Sequence, residues 1–79
     1  MEYFEIKIKD ETYKIIPNNP YNYSFSVFNY ATCHTIERNN SGVWRDVEHR
    51  FGMDIPLNEL GEAIDMHYSL LLQQEAMKG

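Results

Sequence analysis

Few side chains in this chain are of types that do chemistry, and their spacing decides what they can do. The adjacent Cys33 and His34 offer a thiol and an imidazole, groups that serve as metal ligands or as nucleophile and base. On an extended strand, neighbouring side chains point to opposite faces, so the two are not set to bind one metal together. No C-x-x-C or H-x-x-x-H spacing supplies further ligands, and neither a metal nor a cofactor is expected. Cys33 therefore reads as a small buried thiol beside a surface imidazole at His34. Asp46 and His49 lie three apart, which on a helical turn would set a carboxylate against an imidazole and orient it as a general base. With Tyr68 they form the candidate ligand-binding set, although a polar loop before a helix uses such a pair equally well as a cap. No residue is assigned a catalytic role. His67, one residue before Tyr68, reads as a boundary residue of a helix.

Tyr21, Tyr23 and Tyr30 with Phe25 and Phe28 have the composition of a base-stacking platform for single-stranded nucleic acid. The basic groove that accompanies such platforms is missing: residues 18–31 hold no lysine or arginine, and the net charge is −5. Core packing and a stiff sheet surface account better for these rings, and nucleic acid is not an expected partner. The negative charge is uneven, with seven acids against six bases in residues 1–50 and five against one in residues 51–79. Asp54, Glu59 and Glu62 lie where the dipole of a following helix favours negative charge.

The elements that would position these groups follow from periodicity. Phe4, Ile6 and Ile8 alternate with Glu5, Lys7 and Lys9, the pattern of a strand with one wet face. A short polar turn at residues 10–12 joins it to residues 13–16, where Tyr13 and Ile15 share a face; Pro17 is expected to end that strand. The turn formers Asn18, Asn19 and Pro20 lead to a third strand within residues 21–30, with Tyr23, Phe25 and Val27 on one face and Ser24, Ser26 and Phe28 on the other. Residues 31–38 form a fourth strand whose facing the pattern leaves open. Asn39, Asn40, Ser41 and Gly42 close a hairpin. A short strand over residues 43–46 then gives way to an irregular or helical turn as far as Gly52, with Trp44 set against a helix. Pro56 has the fixed φ of a helix start, and Leu57, Leu60, Gly61, Ile64, Tyr68 and Leu71 recur at helical spacing.

This order of signals places the chain in the α+β class: an antiparallel four- to five-stranded β-meander over residues 1–52, packed against one long C-terminal α-helix over residues 54–77. Seventy-nine residues make a single domain, 1–79. The two hairpins, the Asn/Gly turn before Val43 and Trp44, and the proline-started helix with Leu60, Gly61, Glu62, Ala63 and Ile64 resemble small uncharacterised bacterial proteins of this architecture. The resemblance implies a fold and brings no functional residue with it. A single cysteine excludes an internal disulfide and fits a reducing compartment. Residues 1–9 contain no apolar signal segment, and no run of about 18 apolar residues occurs, so a cytoplasmic protein without a membrane partner is expected.

Helix length supplies the functional expectation. Residues 56–77 span about 33 Å at about 1.5 Å per residue, whereas strands of five or six residues cover only about 17–20 Å. The last turns should overhang the sheet and present Met66, Leu70, Leu71, Leu72 and Met77 as an interface. The leading expectation is a non-enzymatic interaction module, either a homodimer through this distal helix or a module docked on another protein. The second is a small-ligand binder or enzyme with a site at a dimer cleft, built on Asp46, His49 and Tyr68.

Overall fold

The computed structural model describes residues 3–19 and 23–78, and the side chains of these except Asn19 and residues 72–78. Five strands follow one another, β1 (Phe4–Ile8), β2 (Glu11–Asn19), β3 (Ser24–Asn29), β4 (Thr32–Arg38) and β5 (Trp44–Gly52), and one helix, α1 (Leu57–Lys78), ends the chain. The strands pair in sequence order, every pair antiparallel, so the sheet is a five-stranded meander followed by a C-terminal helix, an α+β fold.

Alternation decides which face meets the helix. Ile6 of β1, Tyr13 and Ile15 of β2, Phe25 and Val27 of β3, and Ile36 of β4 are buried and close on Leu60 and Ile64 of α1. The intervening residues form the open face, as expected of an antiparallel sheet covered on one side. The backbone of α1 approaches β1 and β5, the two edge strands, so the sheet curls around the helix while the inner strands reach it through their side chains.

Two close approaches fix the helix in place. A Cβ on Gly61 would lie 2.3 Å from Cδ1 of Trp44, so the indole fits only against a bare backbone, and Trp44 does pack on the helix as its size suggests. Phe4 of β1 stacks on His67 at 3.8 Å between ring centres, holding the far edge of the sheet.

The structure corrects three local expectations. Pro17 does not end β2, which runs on to Asn19: Pro17 pairs with Phe25 of β3, and a bulge at Asn18 absorbs the irregularity. The first turn is Lys9 and Asp10, with Glu11 and Thr12 already paired in β2. The segment after Val43 is no short strand with a helical turn but one continuous strand through Gly52. Its helix-like spacing of apolar residues comes from two bulges, because β4 pairs His34 with His49 but Cys33 with Phe51, and Thr35 with Glu48 but Ile36 with Asp46. Arg50 and Val47 are the extra residues, and each shifts the alternation by one.

Candidate functional site

The strands β4 and β5 bring three polar side chains together on the covered face. Thr32, His34 and Ile36 alternate inward along β4, which reverses the expectation for the Cys33 and His34 pair: His34 has no exposed surface, and Cys33, on the other face, is only partly buried. His34 Nδ1 lies 2.7 Å from Oδ2 of Asp46. Its Nε2 lies 2.9 Å from the carbonyl oxygen of Met53, in the connection between β5 and α1. The ring of His49 stacks on that of His34 with centres 4.1 Å apart and planes 18° from parallel.

The same connection is tied at several further points. Thr32 Oγ1 donates to the Met53 carbonyl at 2.5 Å, the Met53 amide donates to the Ala31 carbonyl, and His49 Nε2 lies 2.8 Å from the Gly52 carbonyl. Gly52 has φ +88°, and a Cβ there would fall on the backbone of Ala31, so the turn out of β5 is closed to any other residue. The whole constellation holds the point from which α1 departs.

Asp46 and His49 are not set against each other on a helical turn; each contacts His34 instead, from a bulged strand. Three residues on a regular strand would put them on opposite faces; the bulge at Val47 returns both to the covered one. Both nitrogens of His34 are engaged and its ring is closed to water, so it offers no free lone pair to a substrate. Among the described residues no three His, Cys, Asp or Glu side chains are grouped so as to hold a metal ion.

Tyr68 belongs to a different cluster. Its ring packs at 6.0–6.2 Å from Phe4, Tyr23 and Phe25, and burial, followed by the neighbouring Tyr23, holds its phenol above the ordinary tyrosine range. Trp44 joins this cluster and donates Nε1–H to Oδ2 of Asp65 at 3.3 Å; Arg38 lies over the Tyr23 ring and 3.4 Å from Asp65 Oδ1. Asp46 and His49 have no contact with Tyr68 among these, so the structure joins two members of the set and leaves the third apart.

The helix residues divide as well. Leu71 follows Ile64 by seven residues on the same helical face, yet it is 42% exposed where Ile64 is fully buried. Met66 and Leu70, four apart on the flank of the helix beside Leu71, are 64% and 53% exposed. The side chains of Leu72 and Met77 lie outside the described residues, as does Tyr21 of the aromatic run. On the open sheet face a shallow groove of about 410 Å³ is lined by Glu5, Thr12, Lys14, Phe28, Asn29 and Tyr30.

His34 is the residue that sequence reasoning misplaced. The signal was present in the strand itself, because Glu37 must face water, which puts Ile36 and hence His34 on the covered side. Compared with known proteins, the chain matches no family model, no curated protein and no solved structure. Among the described residues no helix is long and apolar enough to cross a membrane.

Proposed function

We propose that this protein is a non-enzymatic association module whose partner is a second copy of the same chain, met through the distal part of α1. The observation that supports this reading is Leu71: it continues the stripe of Leu60 and Ile64, yet it is 42% exposed where they are fully buried. A leucine on a buried stripe that keeps much of its surface in water is apolar area a partner can cover. Met66 and Leu70 extend the apolar surface around the helix, and a twofold pairing would let each copy cover the other with the same residues. Tyr68 packs with Phe4, Tyr23 and Phe25, in a cluster apart from the His34 contacts of Asp46 and His49, which supports an interaction role over a cleft enzyme.

The test is the mass in solution. Light scattering behind size exclusion at about 50 μM should give twice the 9.4 kDa of one chain, and Leu71→Asp should return it to 9.4 kDa with an unchanged circular dichroism spectrum. A wild-type mass of 9.4 kDa at that concentration removes the proposal, and so does a folded Leu71→Asp variant that keeps the doubled mass.

A further inference from the structure

We propose that the groove on the open face of the sheet binds an aromatic amino acid, its ring against Phe28 and Tyr30, its carboxylate at Lys14 and its ammonium at Glu5. The wet face of an antiparallel sheet is ordinarily polar, and around this groove it is not. Phe28 of β3 is only partly buried there, directly opposite Lys14 of β2, and Tyr30 stands beside it with 87% of its surface exposed. Two large rings left in water at one place are apolar area that a ligand can cover. The space they border, about 410 Å³, falls within the range of small-molecule sites, about 300–1,000 Å³.

The upright ring is braced before any ligand arrives. The Tyr30 hydroxyl donates to Oε1 of Glu11 at 3.3 Å, and the side-chain amide of Asn29 donates to Oε2 of the same carboxylate at 3.4 Å. Asn29 Oδ1 in turn accepts from the Ala31 amide at 2.8 Å, which closes the turn between β3 and β4. One carboxylate thus ties both the ring and the turn that carries it, and a wall already ordered lowers the cost of binding.

Charge selects the ligand. Glu5 and Lys14 are direct partners across the β1–β2 pair, and both are exposed. Opposite charges so placed are ordinarily drawn together. Instead the Lys14 ammonium stands over the Tyr3 ring, 5.4 Å from its centre, and among the described residues neither Glu5 nor Lys14 makes an ion pair. The groove therefore presents one acid and one base beside its aromatic surface. A ligand of a single sign would be attracted by one and repelled by the other, whereas a zwitterion satisfies both. Thr12 lines the same groove and adds a hydroxyl able to donate or accept. No residue of α1 takes part, so this site stands apart from pairing through the distal helix.

The probe is L-phenylalanine, followed by amide nitrogen and proton shifts of the whole protein at about pH 6.5, where the amino acid is a zwitterion. The amides of residues 5, 12, 14 and 28–30 should shift saturably, with a dissociation constant of about 1 mM as suits a shallow groove. Glycine, which has the charges and no ring, should give no saturable shift. Without its ammonium (3-phenylpropanoate) or its carboxylate (2-phenylethylamine), the ligand should bind about fivefold more weakly. Glu5→Gln should bind L-phenylalanine no better than 3-phenylpropanoate, and Lys14→Met no better than 2-phenylethylamine, with the remaining amide shifts of each variant unchanged. No saturable shift up to about 20 mM, saturation at other residues, or either analogue binding the wild type as tightly as L-phenylalanine would each overturn the proposal. The analogue comparison uses the unaltered protein, so it decides the matter even if a variant does not fold.

Discussion

Single residues hold this small core together by close fit, and Gly61 is the plainest case. Its hydrogen faces the indole of Trp44, and a methyl group placed there would overlap three ring atoms at 2.3–2.6 Å. In an exposed helix, replacing glycine by alanine gains about 1 kcal/mol of propensity. Here the overlap dominates, because moving Trp44 also disturbs its bond to Asp65 and its contacts with Tyr23 and Phe25. Gly61→Ala should lose about 2 kcal/mol in a urea titration, and a gain would show that the indole can move freely. The buried phenols give a second test at this scale. Burial is the main cause that raises Tyr13, with Glu11, Tyr30 and Glu59 adding to it, and burial raises Tyr68. A phenol held above its unfolded value contributes stability that is complete below the ordinary tyrosine range and is lost as pH rises through the folded value. Phenolate absorbance should therefore show Tyr13 and Tyr68 ionising above the ordinary tyrosine range, with unfolding accompanying that step above about pH 10.

At the scale of elements, what could be read from the sequence was whatever a regular period writes into it. The strict alternation of residues 4–9, the helical stripe from Leu57 to Leu71 and the Asn/Gly turn each matched their elements; in the turn Asn39 Oδ1 accepts from the amides of Ser41 and Val43, and Gly42 takes φ +85°. Strand β5 was misread because its two bulges break period two, and a strand with extra residues at Val47 and Arg50 mimics the spacing of a helical turn. The candidate site was only half legible for the same reason: Asp46 and His49 stood out as a pair, but the residue that joins them lies on β4, and pairing across strands leaves no local trace. The bulges have a structural use as well, since β5 is a nine-residue edge and bends at such points discourage pairing with other chains. A further test belongs to the β1–β2 hairpin. Lys9, the first of the two turn residues, takes φ +57°, in the left-handed region that favours glycine. Lys9→Gly should stabilise by about 0.5–1 kcal/mol, read as a higher thermal midpoint; a lower one would mean that Lys9 holds its conformation through contacts of its own.

For the molecule as a whole, the question is how a chain with net charge −5 would pair through the very region that carries most of that charge. Five acids and one base lie in residues 51–79. Of these, Asp65 is drawn toward the sheet by Arg38 and Trp44, whereas Glu59 and Glu62 stand exposed on α1. Two copies meeting through Met66, Leu70 and Leu71 would bring these acids within a Debye length of one another at low salt, about 30 Å at 0.01 M, and outside it at high salt, about 3 Å at 1 M. Burial of leucine and methionine, by contrast, is not weakened by salt. Self-association through the distal helix should therefore tighten as sodium chloride is raised from about 0.01 M to about 0.5 M, by roughly tenfold in dissociation constant if the repulsion screened is near 1.4 kcal/mol. Sedimentation equilibrium across that range gives the answer with the unaltered protein. Association that weakens with salt would mean that opposite charges, such as Arg45 and Arg50 of β5 against the acids of α1, make the contact, and that the apolar helix surface does not.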